Sequence, residues 1–211
     1  LISTTDGWAQ FAVAGPNARK LIKKIVDPEH DISNEAFPYM ACGEVTVGGG
    51  TPARLFRISF SGELAYEIAV PARYGDSLMR NLMAAGEEFD AVAYGTEALG
   101  VMRIEKGHAA GNELNGQTTP ENLGLGRMVS KKKDCIGNTL SERYELSKDD
   151  VVRLVGFRPV DRRVLLPSGA HFVKTGKSAT TANDEGWMSS VAYSPALGHS
   201  IGLGFIKQGH E

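Results

Sequence analysis

Apolar residues recur at every second position through the segment from Ser59 to Ala72 (SFSGELAYEIAVPA). Leu55, Phe56 and Ile58 lead to a Ser61-Gly62 corner, and Leu64, Tyr66, Ile68 and Val70 continue beyond it. Period-two alternation around a Ser-Gly corner predicts a half-buried hairpin with a tight turn. Glu67 falls between Tyr66 and Ile68, on the face opposite the apolar residues. From the pattern alone, its carboxylate either meets solvent or lines a cleft that brings donor groups to it.

The remaining elements follow in order. Trp8 to Ala14 (WAQFAVA) predicts a strand. Pro16 suits a first helical position, and Leu21, Ile22, Ile25 and Val26 at helical spacing predict a helix over 16–26 with Lys20, Lys23 and Lys24 outside. A polar loop spans 27–38, and the strand 43–47 ends in Gly48-Gly49-Gly50. Those glycines read as a turn, because a phosphate-cradling loop also needs a Lys-Ser/Thr pair and a following helix. Residues 74–85 predict an amphipathic helix with Leu78, Met79, Leu82 and Met83 as core filling.

A short strand is predicted over 90–94, then a helix over 96–106 capped by Thr96 and closed by Gly107. Arg103 shares a face of that helix with Leu99 and Met102, as an ion-pair partner in the core or a ligand contact. Thr119-Pro120 is a helix-start signal. The glycine-laced run 123–129 (LGLGRMV) predicts a strand passing close to another backbone or a ligand. Lys131 to Lys133 read as a solvated turn, and SERYELSKDD (141–150) as a linker.

Beyond the linker the helical period is lost. Strands are predicted at 151–157, 163–166, 170–175, 187–193 and 201–206, with Gly, Pro, Asn and Asp between them. The fold class is α+β: an antiparallel sheet with packed helices over 1–146, then a small C-terminal β-barrel over 147–211.

Composition excludes little. The 211 residues are 42% hydrophobic and 23% charged with a net charge of −2, which gives no general attraction to nucleic acid or an anionic membrane. No apolar run approaches the roughly 20 residues that span a bilayer. Cys42 and Cys135 form no ligand-spaced set, so no metal site is predicted; two unpaired thiols fit a reducing compartment, the cytoplasm. The chain starts without Met and stops just after a strand-like run, and it reads as a piece of a longer polypeptide.

Six segments in order resemble the folate-dependent aminomethyltransferase family, the glycine-cleavage T-protein and its relatives. They are VAGPNARKLI, SGELAYEIAVPA, YGTEALGVMRIEKGH, the TTPENLGLGRMV run, KKKDCIG and GWMSSVAYSPALGHSIGLGFI. The wording of YGTEALGVMRIEKGH and TTPENLGLGRMVSKKK is similar to one branch, the C-terminal region of the α subunits of heterotetrameric sarcosine oxidases.

The resemblance implies a tetrahydrofolate site. Glu67 then accepts hydrogen bonds from the pterin, Phe60 stands where aminomethyltransferases often carry Tyr, and Arg127 meets the folate tail or serves the fold. Tyr66, beside Glu67, is the fourth candidate for the folate site, although the alternation points it the other way, into the core. Leu99 replaces a family Arg. The family's catalytic Asp lies upstream of Leu1, so no catalytic residue is assigned.

The branch implies oxidative demethylation of sarcosine to glycine, with the one-carbon unit passed to tetrahydrofolate as 5,10-methylenetetrahydrofolate. FAD, FMN and NAD are then expected elsewhere in the complex, and the other oxidase subunits are the partners. A stand-alone aminomethyltransferase and a non-catalytic subunit scaffold are the alternatives. Cys135 sits near the cysteine of a tRNA-modification and iron–sulfur-assembly branch, but the rest of that signature is absent.

Overall fold

The computed structural model describes residues 1–148 and 150–209. Contacts divide the chain into two compact units, Leu1–Leu99 and Gly100 onward.

The first unit is a four-stranded antiparallel sheet with two helices. Its strands are β1 (Trp8–Ala14), β2 (Cys42–Val47), β3 (Thr51–Phe56) and β4 (Ala65–Pro71), in the order β1-β4-β3-β2. Alternation divides the faces. Tyr66, Ile68 and Val70 of β4 are fully buried and join Leu55, Val45 and Val47 in one core with Phe11 and Val13 of β1. Helix α1 (Ala18–Ile25) adds Leu21, Ile22 and Ile25, and helix α2 (Gly75–Gly86) adds Leu78 and Leu82. Gly75 lets α2 start hard against β1, since a Cβ there would lie 2.7 Å from that of Ala9. The outward face of the sheet carries Trp8, Gln10, Ala12, Glu67, Phe56 and Arg54.

Three expectations change in this unit. The tight Ser-Gly turn is a longer loop over 57–64: Arg57 exchanges backbone hydrogen bonds with Met40 and Ala41, which carries the chain past the end of β3 before it returns as β4. Met79 is half-buried and Met83 is 37% exposed, so Leu78 and Leu82, with Ala85 beside them, carry the α2 interface in place of the methionines. Residues 90–94 form no strand. Asp90 is left-handed (φ 54°) and Ala91 folds back to hydrogen-bond Gly86, which takes the segment out of strand geometry.

The second unit holds the end of α3 (Thr96–Lys106), two short helices, α4 (Asn138–Ser141) and α5 (Tyr144–Ser147), and a second antiparallel sheet. That sheet comprises β5 (Val152–Phe157), β6 (His171–Val173), β7 (Asp184–Ser194) and β8 (His199–Lys207) in the order β5-β8-β7-β6. Gly107 closes α3 in the left-handed region (φ 77°). The start signal at Thr119 does work, with Thr119 and Asn122 capping one another, but Gly124 (φ 73°) ends the turn at once. Residues 123–129 then form a 3-10 turn over Gly126–Met128 in place of a strand; the close approach at Gly126 is to the Glu121 carboxylate. Residues 163–166 also stay out of the sheet, where Asp161 caps a turn through Arg163.

One buried ion pair anchors this unit. Arg103 Nη1 donates to Glu113 Oε2 at 2.9 Å, and Nη2 donates to Ser190 Oγ at 2.6 Å. A bulge in β7 between Met188 and Ser190 breaks the alternation, so the adjacent Ser189 and Ser190 hydroxyls both reach Glu113 Oε1, at 2.6 and 2.7 Å. Arg103 is thus a core ion-pair partner. Burial pushes the Glu113 carboxyl up, and the hydrogen bonds from Ser189, Ser190 and the Ala110 N–H, with the Arg103 charge, outweigh it and hold it below its ordinary value.

Two outcomes follow for Glu113. Glu113→Ala strands the Arg103 charge in the core, and chemical denaturation should show a loss of about 3–5 kcal/mol. The depressed carboxyl binds its proton more readily in the unfolded chain. Its contribution is therefore complete above the ordinary glutamate value of about 4.3 and is lost as pH falls below it toward the folded-state value. Denaturation between about pH 6 and pH 3 should show a shallower acid loss in Glu113→Gln than in the native sequence.

Candidate functional site

The outward face of the first sheet is where the hydrogen-bonding side chains gather. Glu67 stands in register between Ala12 of β1 and Phe56 of β3, and it is half-buried. Gln10 lies two residues before Ala12 on the same face, diagonal to Glu67, and its Nε2 donates to Glu67 Oε2. Tyr94 arrives from the segment after α2. Burial raises its phenol above the ordinary value, and the Glu63 and Glu67 charges raise it further. Its hydroxyl is therefore kept protonated beside two carboxylates. Toward the edge of the same face, the Arg54 guanidinium lies 4.0 Å from the centre of the Trp8 ring, beside a hollow of about 250 Å³.

Glu67 thus faces out of the core, with an amide partner. Phe60 is partly exposed in the loop before β4, where Ser59 Oγ accepts the Gly62 N–H at 2.9 Å and shapes the turn. Tyr66 is fully buried on the opposite face of β4, stacked on Phe37 at 6.5 Å with Arg19 over its ring. Burial pushes its phenol up against the opposing charges of Arg19 and Arg57. Arg127 is exposed on the 3-10 turn of the second unit.

Gln10, Arg54 and Tyr94 are residues of this face that the strand patterns did not single out. Gln10 carries the one side-chain amide of β1, but its link to Glu67 exists only because β1 pairs with a strand some fifty residues later. Tyr94 precedes a glycine at the start of α3, a position without local periodicity.

A larger cavity of about 460 Å³ opens on the helical side of the sheet, lined by Lys24, Asp27, Tyr74, Ser77 and Asn81 among others, and contains none of these residues. Among the described residues, no cluster of His, Cys, Asp and Glu is placed to hold a metal ion, and no helix is long and apolar enough to cross a membrane. Cys42 and Cys135 are free and exposed.

The family model described as the GCVT N-terminal domain matches residues 1–133, and that of the glycine cleavage T-protein C-terminal barrel domain matches 153–211. This chain belongs to the glycine cleavage T-protein family.

Its relatives include the sarcosine oxidase subunit alpha of Rhizobium meliloti, 49% identical over 100% of this chain and 21% of that protein. The aminomethyltransferase of Streptomyces coelicolor is 31% identical over 97% of this chain and 53% of that protein. The chain therefore spans about a fifth to a half of the length of these relatives. The solved glycine cleavage system aminomethyltransferase T from Bartonella henselae shares the fold, with a TM-score of 0.57 at 20% identity, over 74% of this chain and 42% of that one. The α+β class, with its antiparallel sheets and C-terminal barrel-like domain, is the fold of this family.

The electrostatics of the face can be read directly. The Tyr94 phenol should titrate above the ordinary value of about 10, as absorbance titration against Tyr94→Phe will identify, and Glu67→Gln should move it down toward that value. An unmoved titration would mean that Glu67 and Tyr94 do not share this face.

Proposed function

We propose that this chain is the folate-binding part of a sarcosine-oxidising enzyme, where it passes the one-carbon unit released from sarcosine to tetrahydrofolate. The observation that carries the reading is Glu67: a half-buried carboxylate on the sheet face opposite the core, between the buried Ala65 and Ala69, held by a neutral amide, with no ion pair among the described residues. A reduced pterin presents an N–H and an amino group side by side, and a carboxylate accepts such a pair bidentately. Gln10 uses one of roughly four lone-pair positions on Glu67, which leaves a bidentate contact available.

Glu67 would hold the pterin edge and Phe60 would pack on the ring. Tyr66 acts from the core side, fixing β4 beneath them. Arg127 belongs to the other unit, and its assignment to the folate tail rests on the resemblance alone. Tetrahydrofolate supplies the nitrogens that take up a formaldehyde-level carbon as 5,10-methylenetetrahydrofolate. No residue of this chain is assigned to acid–base chemistry; its work is binding, orientation and exclusion of water.

The oxidase reading is favoured over a stand-alone aminomethyltransferase by the 49% identity to a sarcosine oxidase alpha subunit against 31% to an aminomethyltransferase. In that reading the remaining oxidase subunits are partners, and FAD, FMN and NAD bind outside this chain. Two free, exposed thiols fit a reducing compartment, the cytoplasm. The boundary between the two family domains lies at 146/147 in this reading, supported by matches that end at 133 and resume at 153, and it differs from the contact division after Leu99.

The test is calorimetric titration with 5-formyltetrahydrofolate, a stable reduced folate. The native protein should bind it, and Glu67→Gln should bind about tenfold or more weakly, as expected when a charge-assisted acceptor becomes a neutral amide. Equal binding by both would remove Glu67 from the site. No binding by the native protein would favour the scaffold.

A further inference from the structure

The outward face of the sheet has a four-cornered patch where β1 crosses β4. Ala12 pairs with Glu67 and Gln10 pairs with Ala69, so two methyl groups occupy one diagonal and two long polar side chains the other. Ala12 is exposed and Ala69 is buried, and Gln10 and Glu67 meet along the other diagonal. A carboxylate only accepts, so the Gln10 group facing Glu67 Oε2 is the Nε2 amide. Among the described residues Glu67 forms no ion pair, although Arg54 lies on the same face.

We propose that Gln10 is the positioning residue of Glu67. This rests on the folate reading given above and goes beyond it in naming what prepares the acceptor. A half-buried glutamate without a fixed partner would otherwise sample several rotamers, and a ligand would have to order it on binding. The amide fixes one oxygen from β1, which is itself locked to β4 by seven consecutive register pairs. A lysine or arginine at position 10 would fix the carboxylate equally well but would neutralise it. Glutamine orients the carboxylate and leaves its full negative charge for a donor pair arriving from outside. The ligand class this arrangement takes is a planar heterocycle with adjacent N–H and amino groups.

The test uses 5-formyltetrahydrofolate titrations of the native protein, Gln10→Leu, Gln10→Glu, Glu67→Gln and the double variant Gln10→Leu/Glu67→Gln, with thermal midpoints measured alongside. Gln10→Leu should weaken binding by about five- to tenfold with little change in midpoint, as expected when the acceptor must be ordered by the ligand. Gln10→Glu keeps the shape and replaces the donor with a like charge, so it should weaken binding more. The double variant should bind no worse than Glu67→Gln alone, because Gln10 has nothing left to position.

The proposal is overturned if Gln10→Leu and Gln10→Glu bind as the native protein does while Glu67→Gln is weakened; the folate reading then survives without it. An equal loss from Gln10→Leu in both Glu67 backgrounds overturns it too, because Gln10 would then act on its own. If Glu67→Gln itself binds like the native protein, the folate reading fails and takes the proposal with it. Should Gln10→Leu not fold, Gln10→Glu and Gln10→Met carry the comparison.

Discussion

The antiparallel pairing of β1 with β4 is the constraint on which the first unit depends. Strands some fifty residues apart in sequence match residue for residue from Trp8 with Pro71 to Ala14 with Ala65. One phase of that ladder sends Tyr66, Ile68 and Val70 under α1 and α2, and the other sends Gln10 and Glu67 outward together. A slip of one residue would exchange the two sets, burying a carboxylate and exposing a fully buried tyrosine. Core and candidate site are thus two readings of one register. The apolar side fixes the phase, because its residues cannot be turned to water without losing the core.

The second unit solves a different problem. Its sheet contributes a small apolar cluster around Ile104, Ile201 and Leu203, and the unit also holds a charge pair in which Glu113 is fully buried and Arg103 nearly so. Burying Arg103 and Glu113 is tolerable because nearly every polar atom around them has a partner: a backbone N–H, two serine hydroxyls and the His108 carbonyl. The bulge in β7 makes this possible, since a regular strand would have sent one of the two serines to the far face. Close approach at β8 serves the same compactness: a Cβ at Gly204 would lie 2.6 Å from the Trp187 carbonyl oxygen.

Local chemistry was legible where it acts locally. The Thr96–Lys106 helix and the left-handed Gly107 that ends it, the outward lysines of α1 and the inward Tyr66, Ile68 and Val70 of β4 all follow from residues within a few positions of one another. The departures occur where distant groups decide. The loop over 57–64 is held open by Met40 and Ala41, and residues 90–94 form no strand because Ala91 folds back on Gly86. Residues 123–129 lose their strand to the fold-back at Gly124. The site shows the same division. The face on which Glu67 stands is written in β4 itself, whereas its contact with Gln10 needs a partner strand that no short window contains.

The row that crosses the sheet at Glu67 ends in a chemically useful atom. Ala12, Glu67, Phe56 and Cys42 stand side by side on four adjacent strands, and the Cys42 thiol is exposed on the same face as the carboxylate. Two strand spacings separate them, about 10 Å. An environment-sensitive fluorophore attached there, with Cys135 replaced by serine, would sit within sight of anything that settles on Glu67 without touching it. The fold thus carries its own labelling handle, set by strand order and placed where occupancy of the face can be watched in real time.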